Sequence, residues 1–308
     1  MKTHALYPLM FHPVYKDYLW GGTAIARRYN RANTPHPCAE SWELSALPGS
    51  ESIVSNGPFE GIGLDVLTQT FGRDLLGTKA PDPEHFPLLI KILDAHDRLS
   101  VQVHPDDVAA LELGVRTKHE LWYVLDAAPG AEVWAGLTPG VTPEKLLEHL
   151  QAYQTHPGDL FDLPAGIVHS VGPGNLLFEV QQASDVAYRI DDWGRGRELH
   201  PVQAAQCIRP AAAARHQRIS RQAHRDLQLR LATPDFTFAT LDLTRTRTLH
   251  TTDLSLMVLF CAEGKASLAH NGPHPLTLLP GDLVLIPPRQ ALLLQPLAAA
   301  TRLLVTTL

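Results

Sequence analysis

Gly158-Asp159-Leu160-Phe161-Asp162-Leu163-Pro164 and Gly281-Asp282-Leu283-Val284-Leu285-Ile286-Pro287 are the stretches that decide the fold. Each opens on a Gly-Asp turn, runs into an apolar strand and stops at proline, which cannot donate to a sheet ladder. One supersecondary unit met twice is a weak internal repeat, and it predicts two β-units in one chain. Many short strands separated by Gly and Pro turns suit jelly rolls. The expected fold class is mainly β, two jelly-roll units with helical insertions.

The two copies differ downstream. Five residues beyond Pro164 lies His169, whereas five beyond Pro287 lies Leu292, so the second copy keeps the β-pattern and loses a ligand. Upstream of the first copy stands Leu99-Ser100-Val101-Gln102-Val103-His104-Pro105. There the valines alternate with Gln102 and His104, and a strand would bury the former and present amide and imidazole together. In Lys118-His119-Glu120-Leu121-Trp122-Tyr123-Val124-Leu125, period two puts Lys118 and Glu120 on one face and His119 on the other. Gln102, His104, Glu120 and His169 together offer one amide oxygen, two imidazoles and one carboxylate. That set suits a borderline divalent ion such as zinc, and the lack of a thiolate argues against a purely structural site. The chain has 16 His, so each segment alone is weak; their order and strand setting carry the reading.

A chain of 308 residues, 44% hydrophobic, can bury a sizeable core. A formal charge of −6 and a pI near 6.2 argue against a nucleic-acid surface. A phosphorylated substrate would need local Lys and Arg instead. Cys38, Cys207 and Cys261 lie far apart with no Cys-x-x-Cys pair, which fits a reducing cytoplasm better than a disulfide framework. The N-terminal apolar run is too short for a signal peptide, and no uncharged segment reaches membrane-spanning length.

Along the chain, residues 1–60 read as strands and loops. Trp20-Gly21-Gly22 reads as a turn or as a close approach of backbone to something bulky. Glu40-Ser41-Trp42-Glu43-Leu44-Ser45 alternates like a strand whose Ser41, Glu43 and Ser45 face is solvated. Helical spacing with flanking glycines predicts a helix over 61–77. Gly61-Ile62-Gly63 lacks the third glycine and the preceding strand of a dinucleotide fingerprint. Residues 87–93 read as an apolar strand in which Lys91 sits at an edge or meets an anion, and 94–97 as a solvated turn. Asp106 and Gly114 bracket a short helix. Thr142-Pro143-Glu144 opens another that runs to about Tyr153, and 199–208 has helix character. The segment 211–230 reads as an exposed connection, with strands beyond it at 236–243, 254–261, 266–270, 276–279, 283–286 and 303–308. The expected domains are residues 1–230, carrying the metal site, and residues 231–308.

The order Gln102-x-His104, Lys118-x-Glu120, Pro164-x-Gly166-x-x-His169 and Ser184-Asp185 followed by Arg189 resembles type I phosphomannose isomerases, the zinc-dependent cupin enzymes, above all their short bacterial form. Trp20-Gly21-Gly22, Glu40 to Ser45, Pro87 to Leu93 and Tyr188-Arg189-Ile190-Asp191-Asp192-Trp193 extend the resemblance over most of the chain. It implies a catalytic cupin followed by a degenerate one, and one Zn2+ per chain on Gln102, His104, Glu120 and His169. It also implies interconversion of mannose 6-phosphate and fructose 6-phosphate through a cis-enediol. Arg189 falls in the segment of the family's catalytic arginine, and the Glu43 strand is implied to lie near the cleft. The proton shuttle is open among Lys118, Asp185, Glu43 and a non-ligand histidine. The phosphate contact is open among Arg195, Lys91 and Lys118. One departure is Asp191, where the short bacterial relatives commonly carry an aromatic residue; the extra acid bears on the orientation of Arg189. A metal-retaining sugar-binding cupin and an iron-dependent cupin oxygenase are the other classes compatible with the ligand set. A small-molecule sugar phosphate is the expected partner, without nucleic acid or membrane, for a monomer or homodimer.

Overall fold

The computed structural model of the chain describes residues 4–138, 143–220, 227–272 and 274–308. It forms two compact units, Tyr15–Trp42 with Leu88–Ser220, and Met1–Val14 with Glu43–Pro87 and Arg221–Leu308. This division differs from a single boundary near residue 230. The reason is the strand Leu9–His12, which pairs with Leu283–Ile286 and sets Leu9 opposite Leu285.

In the first unit a seven-stranded sheet runs in the order Arg215–Arg218, Asp159–Leu163, Glu120–Ala127, Asn175–Gln182, Leu88–Ala95, Glu40–Leu44 and Val14–Lys16. A five-stranded sheet holds Tyr188–Asp191, Val101–Val103, His169–Val171, Glu132–Leu137 and Leu150–Gln154. Trp122, Val124, Phe161 and Leu177 of the larger sheet share a core with Val133, Ala135 and Val171 of the smaller, the inner faces of a sandwich. The second unit repeats the plan. Its seven-stranded sheet runs Gln228–Ala232, Thr237–Leu243, Thr301–Thr307, Met257–Glu263, Leu283–Ile286, Leu9–His12 and Ile53–Val54. Its four-stranded sheet runs Arg247–His250, Ala291–Pro296, Ala266–Ala269 and Leu276–Leu278. The fold is mainly β, as the turn spacing predicts.

The internal repeat is structural. Gly158 and Gly281 hold φ of 91° and 92°, a conformation that side chains disfavour. The Asp159 carboxylate accepts the His156 N–H at 2.8 Å, and the Asp282 carboxylate accepts the Leu279 N–H at 2.7 Å. Each strand then pairs with its equivalent neighbour, Asp159–Leu163 with Glu120–Ala127 and Leu283–Ile286 with Met257–Glu263.

Several local expectations are corrected. The helix over 61–77 is two, Leu64–Phe71 and Arg73–Leu76, broken at Gly72 with φ 50°. In place of a helix from 142 to about 153 there is a 3-10 turn, Pro143–His149, then the strand Leu150–Gln154. Its ladder with Glu132–Leu137 outweighs the local helical spacing, and Thr142 lies outside the described residues. The connection at 211–230 contains the strand Arg215–Arg218, and the strands Arg247–His250 and Ala291–Pro296 were not expected. The Glu43 face is not solvated, since every residue of Glu40–Leu44 is buried. Asp94 is buried too and caps a distant helix, accepting the N–H groups of Ala24 at 2.5 Å and Ile25 at 3.4 Å at the start of Ala24–Tyr29. That cap explains Gly22, where a Cβ would stand 2.7 Å from the Asp94 carboxylate; at Gly21 it would stand 2.5 Å from the Ala39 backbone. The helix Asp107–Leu113 forms as expected, with the Asp106 side chain accepting the Ala109 N–H and Gly114 left-handed. All three cysteines are buried thiols outside any disulfide. Among the described residues no helix is long and apolar enough to cross a membrane.

Candidate metal centre and cleft

Strand register brings the four expected ligands together. His169 stands opposite Gln102 in the smaller sheet. Glu120 opens its strand opposite Leu163 and Gln181 in the larger one. His104 follows Gln102 by two residues at the end of Val101–Val103, so the alternation that buries Val101 and Val103 turns both polar side chains the same way. His104 Nε2 lies 3.0 Å from Glu120 Oε1, His169 Nε2 3.5 Å from Glu120 Oε2, and the Gln102 amide 3.3 Å from His169 Nε2. Nitrogen and oxygen atoms of His104, Glu120 and His169 lie within 4.8 Å of one another, and all three residues are buried.

The outer hydrogen bonds fix what these atoms can do. His104 Nδ1 donates to the Val186 carbonyl at 2.8 Å and His169 Nδ1 to the Ile167 carbonyl at 2.9 Å. Each Nε2 is thereby left as a lone pair pointing at a carboxylate, the tautomer that ligation requires. His104 Nε2 and Glu120 Oε2 are buried without a hydrogen-bond partner. The His104 lone pair and Glu120 Oε2 converge with no donor to satisfy them, an arrangement that repels unless a cation joins it, so the residues fit a divalent metal. A half-turn of the Gln102 amide exchanges its nitrogen for the oxygen ligand. Burial and then the Lys118 ammonium push His104 down to about 3, and burial lowers His169, so both imidazoles are neutral. Burial alone would raise the Glu120 carboxyl, but Lys118, 2.8 Å away, and the imidazoles hold it well below the usual range. Two neutral imidazoles and a carboxylate are the protonation states that a metal needs.

Gln102 and Glu120 open into a cleft of about 240 Å³, whereas His104 and His169 are buried and do not line it. Gln102, Lys118, Glu120, Lys91, Asp185 and Arg189 line it, as the sequence leads one to expect. Glu43 and Arg195 do not. Glu43 is buried in its strand, whereas Glu40 reaches the cleft. Arg195 turns to the Asp192 carboxylate at 3.1 Å and the Arg98 carbonyl at 2.7 Å, and Arg197 lines the cleft. Lys91 is no edge residue: it sits mid-sheet opposite Glu179, with its ammonium 3.5 Å from both Glu40 and Glu179 and over the Trp42 ring. Burial, then the Glu120 charge, pushes Glu179 up to about 7 despite Lys91, and its other oxygen accepts the Trp122 indole N–H at 2.8 Å. Asp191 accepts the Trp193 N–H at 2.7 Å, so the unusual acid is spent on a turn outside the cleft lining. Arg189 stands opposite Gln102 in the ladder and donates from Nη1 to the Glu198 carbonyl at 2.6 Å.

Sequence reasoning missed Glu179, Glu40 and Arg197. Glu179 carries a signal: it is an acid inside the apolar strand Asn175–Gln182, and Lys91 is a base inside another. Register in the second unit shows why it holds no equivalent centre. Leu163 faces Glu120 and Ile286 faces Met257; His169 faces Gln102 and Leu292 faces Leu249. The four ligand positions are thus Leu249, Thr251, Met257 and Leu292, and the three apolar ones pack into the core of that unit.

Comparison with known proteins places this geometry among relatives. Residues 9–126 match the family described as phosphomannose isomerase type I, catalytic domain. Mannose-6-phosphate isomerase ManA of Bacillus subtilis is 38% identical over 226 residues, 68% of this chain and 70% of that protein. The crystal structure of the mannose 6-phosphate isomerase from Bacillus subtilis superposes with a TM-score of 0.86 at 27% identity, covering 98% of this chain and 99% of that one. A mannose 6-phosphate isomerase bound with zinc and yttrium shares the fold at a TM-score of 0.78 and 19% identity, covering 98% of this chain and 99% of that one.

Proposed function

This chain belongs to the type I phosphomannose isomerases, and from that premise we propose that it interconverts mannose 6-phosphate and fructose 6-phosphate in a zinc-dependent reaction through a cis-enediol. The observation that carries the reading is the convergence of two imidazoles and a carboxylate, with His104 Nε2 and Glu120 Oε2 buried and unsatisfied, beside a cleft that also holds Arg189. Gln102, His104, Glu120 and His169 would hold one Zn2+, which would polarise the carbonyl and hydroxyl oxygens of the sugar as a Lewis acid.

The remaining steps belong to side chains. Interconversion moves a proton between C2 and C1, so one group must take it and return it. Asp185 is exposed in the cleft lining and makes no hydrogen bond or ion pair among the described residues, which suits a carboxylate shuttle. Lys118, tied to Glu120, keeps a positive charge beside the reacting oxygens. Arg189, opposite Gln102, stabilises the enediolate charge. Catalysis resides in the unit of Tyr15–Trp42 with Leu88–Ser220. Three buried thiols outside any disulfide suit a reducing compartment, and we place the enzyme in the cytoplasm.

The test is a coupled assay with mannose 6-phosphate before chelation, after it, and after zinc is restored. Fructose 6-phosphate formation that chelation abolishes and zinc recovers is the expected result. Zinc-loaded protein that binds the sugar phosphate without turning it over would leave a sugar-binding cupin in place of an isomerase.

A further inference from the structure

Of the four basic side chains that line the cleft, two are already neutralised. Lys91 lies between Glu40 and Glu179, and Lys118 rests on Glu120. Asp185 is a further acid facing the same space, beside Glu40, Glu120 and Glu179. Arg189 makes no carboxylate ion pair among the described residues; its Nη1 is held by a main-chain carbonyl and its buried Nε has no partner. Arg197 is built differently. Its Nε lies 3.0 Å from both Asp192 oxygens, its Nη2 lies 2.5 Å from one, and its own N–H donates to the same carboxylate at 3.2 Å. The fork is therefore locked by a carboxylate that is itself buried, while Nη1 makes no hydrogen bond among the described residues. Arg195 shares the same Asp192 and also reaches the Asp97 carboxylate at 3.4 Å, so Asp192 serves two guanidiniums. Burial, and then the like charge of Arg197, lower the proton affinity of Arg189.

We propose that Arg197, held in place by Asp192, is the phosphate-binding residue of this cleft, taking the anionic end of the sugar phosphate on its free Nη1 beside the Nε of Arg189. This deepens the isomerase reading and rests on it for the identity of the substrate. Arg189 stands opposite the expected ligand Gln102 in its ladder, whereas Arg197 is anchored through the Asp192 turn. A preorganised guanidinium loses little freedom on meeting a phosphate, and its charge-assisted bonds are the strong kind.

The test compares wild-type, Arg197→Lys and Arg197→Met holoenzymes. Equilibrium binding of inorganic phosphate is measured by calorimetry, alongside KM and kcat for mannose 6-phosphate and zinc content. Loss of a charge-assisted contact predicts that Arg197→Met weakens phosphate binding on the order of tenfold to a hundredfold, with zinc content unchanged and the kinetic loss falling chiefly on KM. Arg197→Lys should recover part of the affinity. Asp192→Asn, which leaves the arginine but loosens it, should raise KM in the same direction by less. Phosphate binding unaltered in Arg197→Met overturns the proposal. Phosphate binding that depends on Arg197 in a protein without isomerase turnover upholds the anion site and overturns the reaction instead.

Discussion

Replacing Lys91 by methionine isolates the energetics of the buried charge cluster. The side chain is 4% exposed, its ammonium stands 3.5 Å from two carboxylates, and Glu179 is 3% exposed. Methionine fills nearly the same volume, so the perturbation is electrical. Removing one partner from a buried ion pair costs about 3–5 kcal/mol, because a charge is left in a medium that cannot solvate it. At roughly 2–4 °C per kcal/mol for a domain of this size, the melting temperature should fall by roughly 6–20 °C. The pH dependence has a definite sign. Burial first, and then Glu120, already raises Glu179 from 4.5 to about 7 against the pull of Lys91; without the ammonium it rises further. A carboxyl whose folded value exceeds its unfolded one takes up a proton on folding. Its stabilisation is complete below the unfolded value and is lost as pH rises through the folded one. The deficit of Lys91→Met should thus be large at pH 8.5 and shrink toward pH 5.5. Urea denaturation of the zinc-loaded proteins at both pH values measures it, and Glu179→Gln added to Lys91→Met should restore part of the loss. A deficit below about 1 kcal/mol at pH 8.5, or one independent of pH, would refute the reasoning.

Three further outcomes are expected. His104→Ala should lose bound zinc and activity together, read by metal analysis and the coupled assay; full activity would remove His104 from the site. Arg189→Ala should keep its zinc and lose turnover on the order of a hundredfold, and a change confined to KM would deny it a role in the reaction step. Asp192 is held down to about 2, because the Arg197 hydrogen bonds overcome the effect of burial. Its contribution to stability is therefore present above pH 3.8 and lost as pH falls toward 2, so the stability gap between wild type and Asp192→Asn should close over that window.

Much of the centre was legible because sheets display alternation directly. Val101 and Val103 announce which way Gln102 and His104 point, and the proline that ends the repeat announces the turn before His169. What stayed hidden depends on partners far away in sequence. Lys91 and Glu179 read as isolated anomalies until the ladder pairs them. The strand Arg215–Arg218 exposes all four side chains and so carries no apolar signal, although it completes a sheet edge. Leu146, Leu147 and Leu150 have helical spacing, yet the neighbouring strand claims residues 150–154. Arg197 and Arg195 are chemically alike and two residues apart. Only the turn around Asp192 decides which of them reaches the cleft.

The pairing of Leu9–His12 with Leu283–Ile286 has a consequence for biosynthesis. Leu9–His12 meets its neighbour Ile53–Val54 about 40 residues later, but its other neighbour, Leu283–Ile286, only about 270 residues later. At about 5–20 residues per second, that is a wait on the order of 15–50 s. Residues 15–220 include the whole unit that holds His104, Glu120 and His169, and its strands emerge during that interval. Meanwhile Leu9–His12 presents an unmated edge, the kind of backbone that chaperones cover and that other nascent chains can capture. The unit that holds His104, Glu120 and His169 can thus mature while the chain is still being made, and the second edge of Leu9–His12 is among the last to be secured.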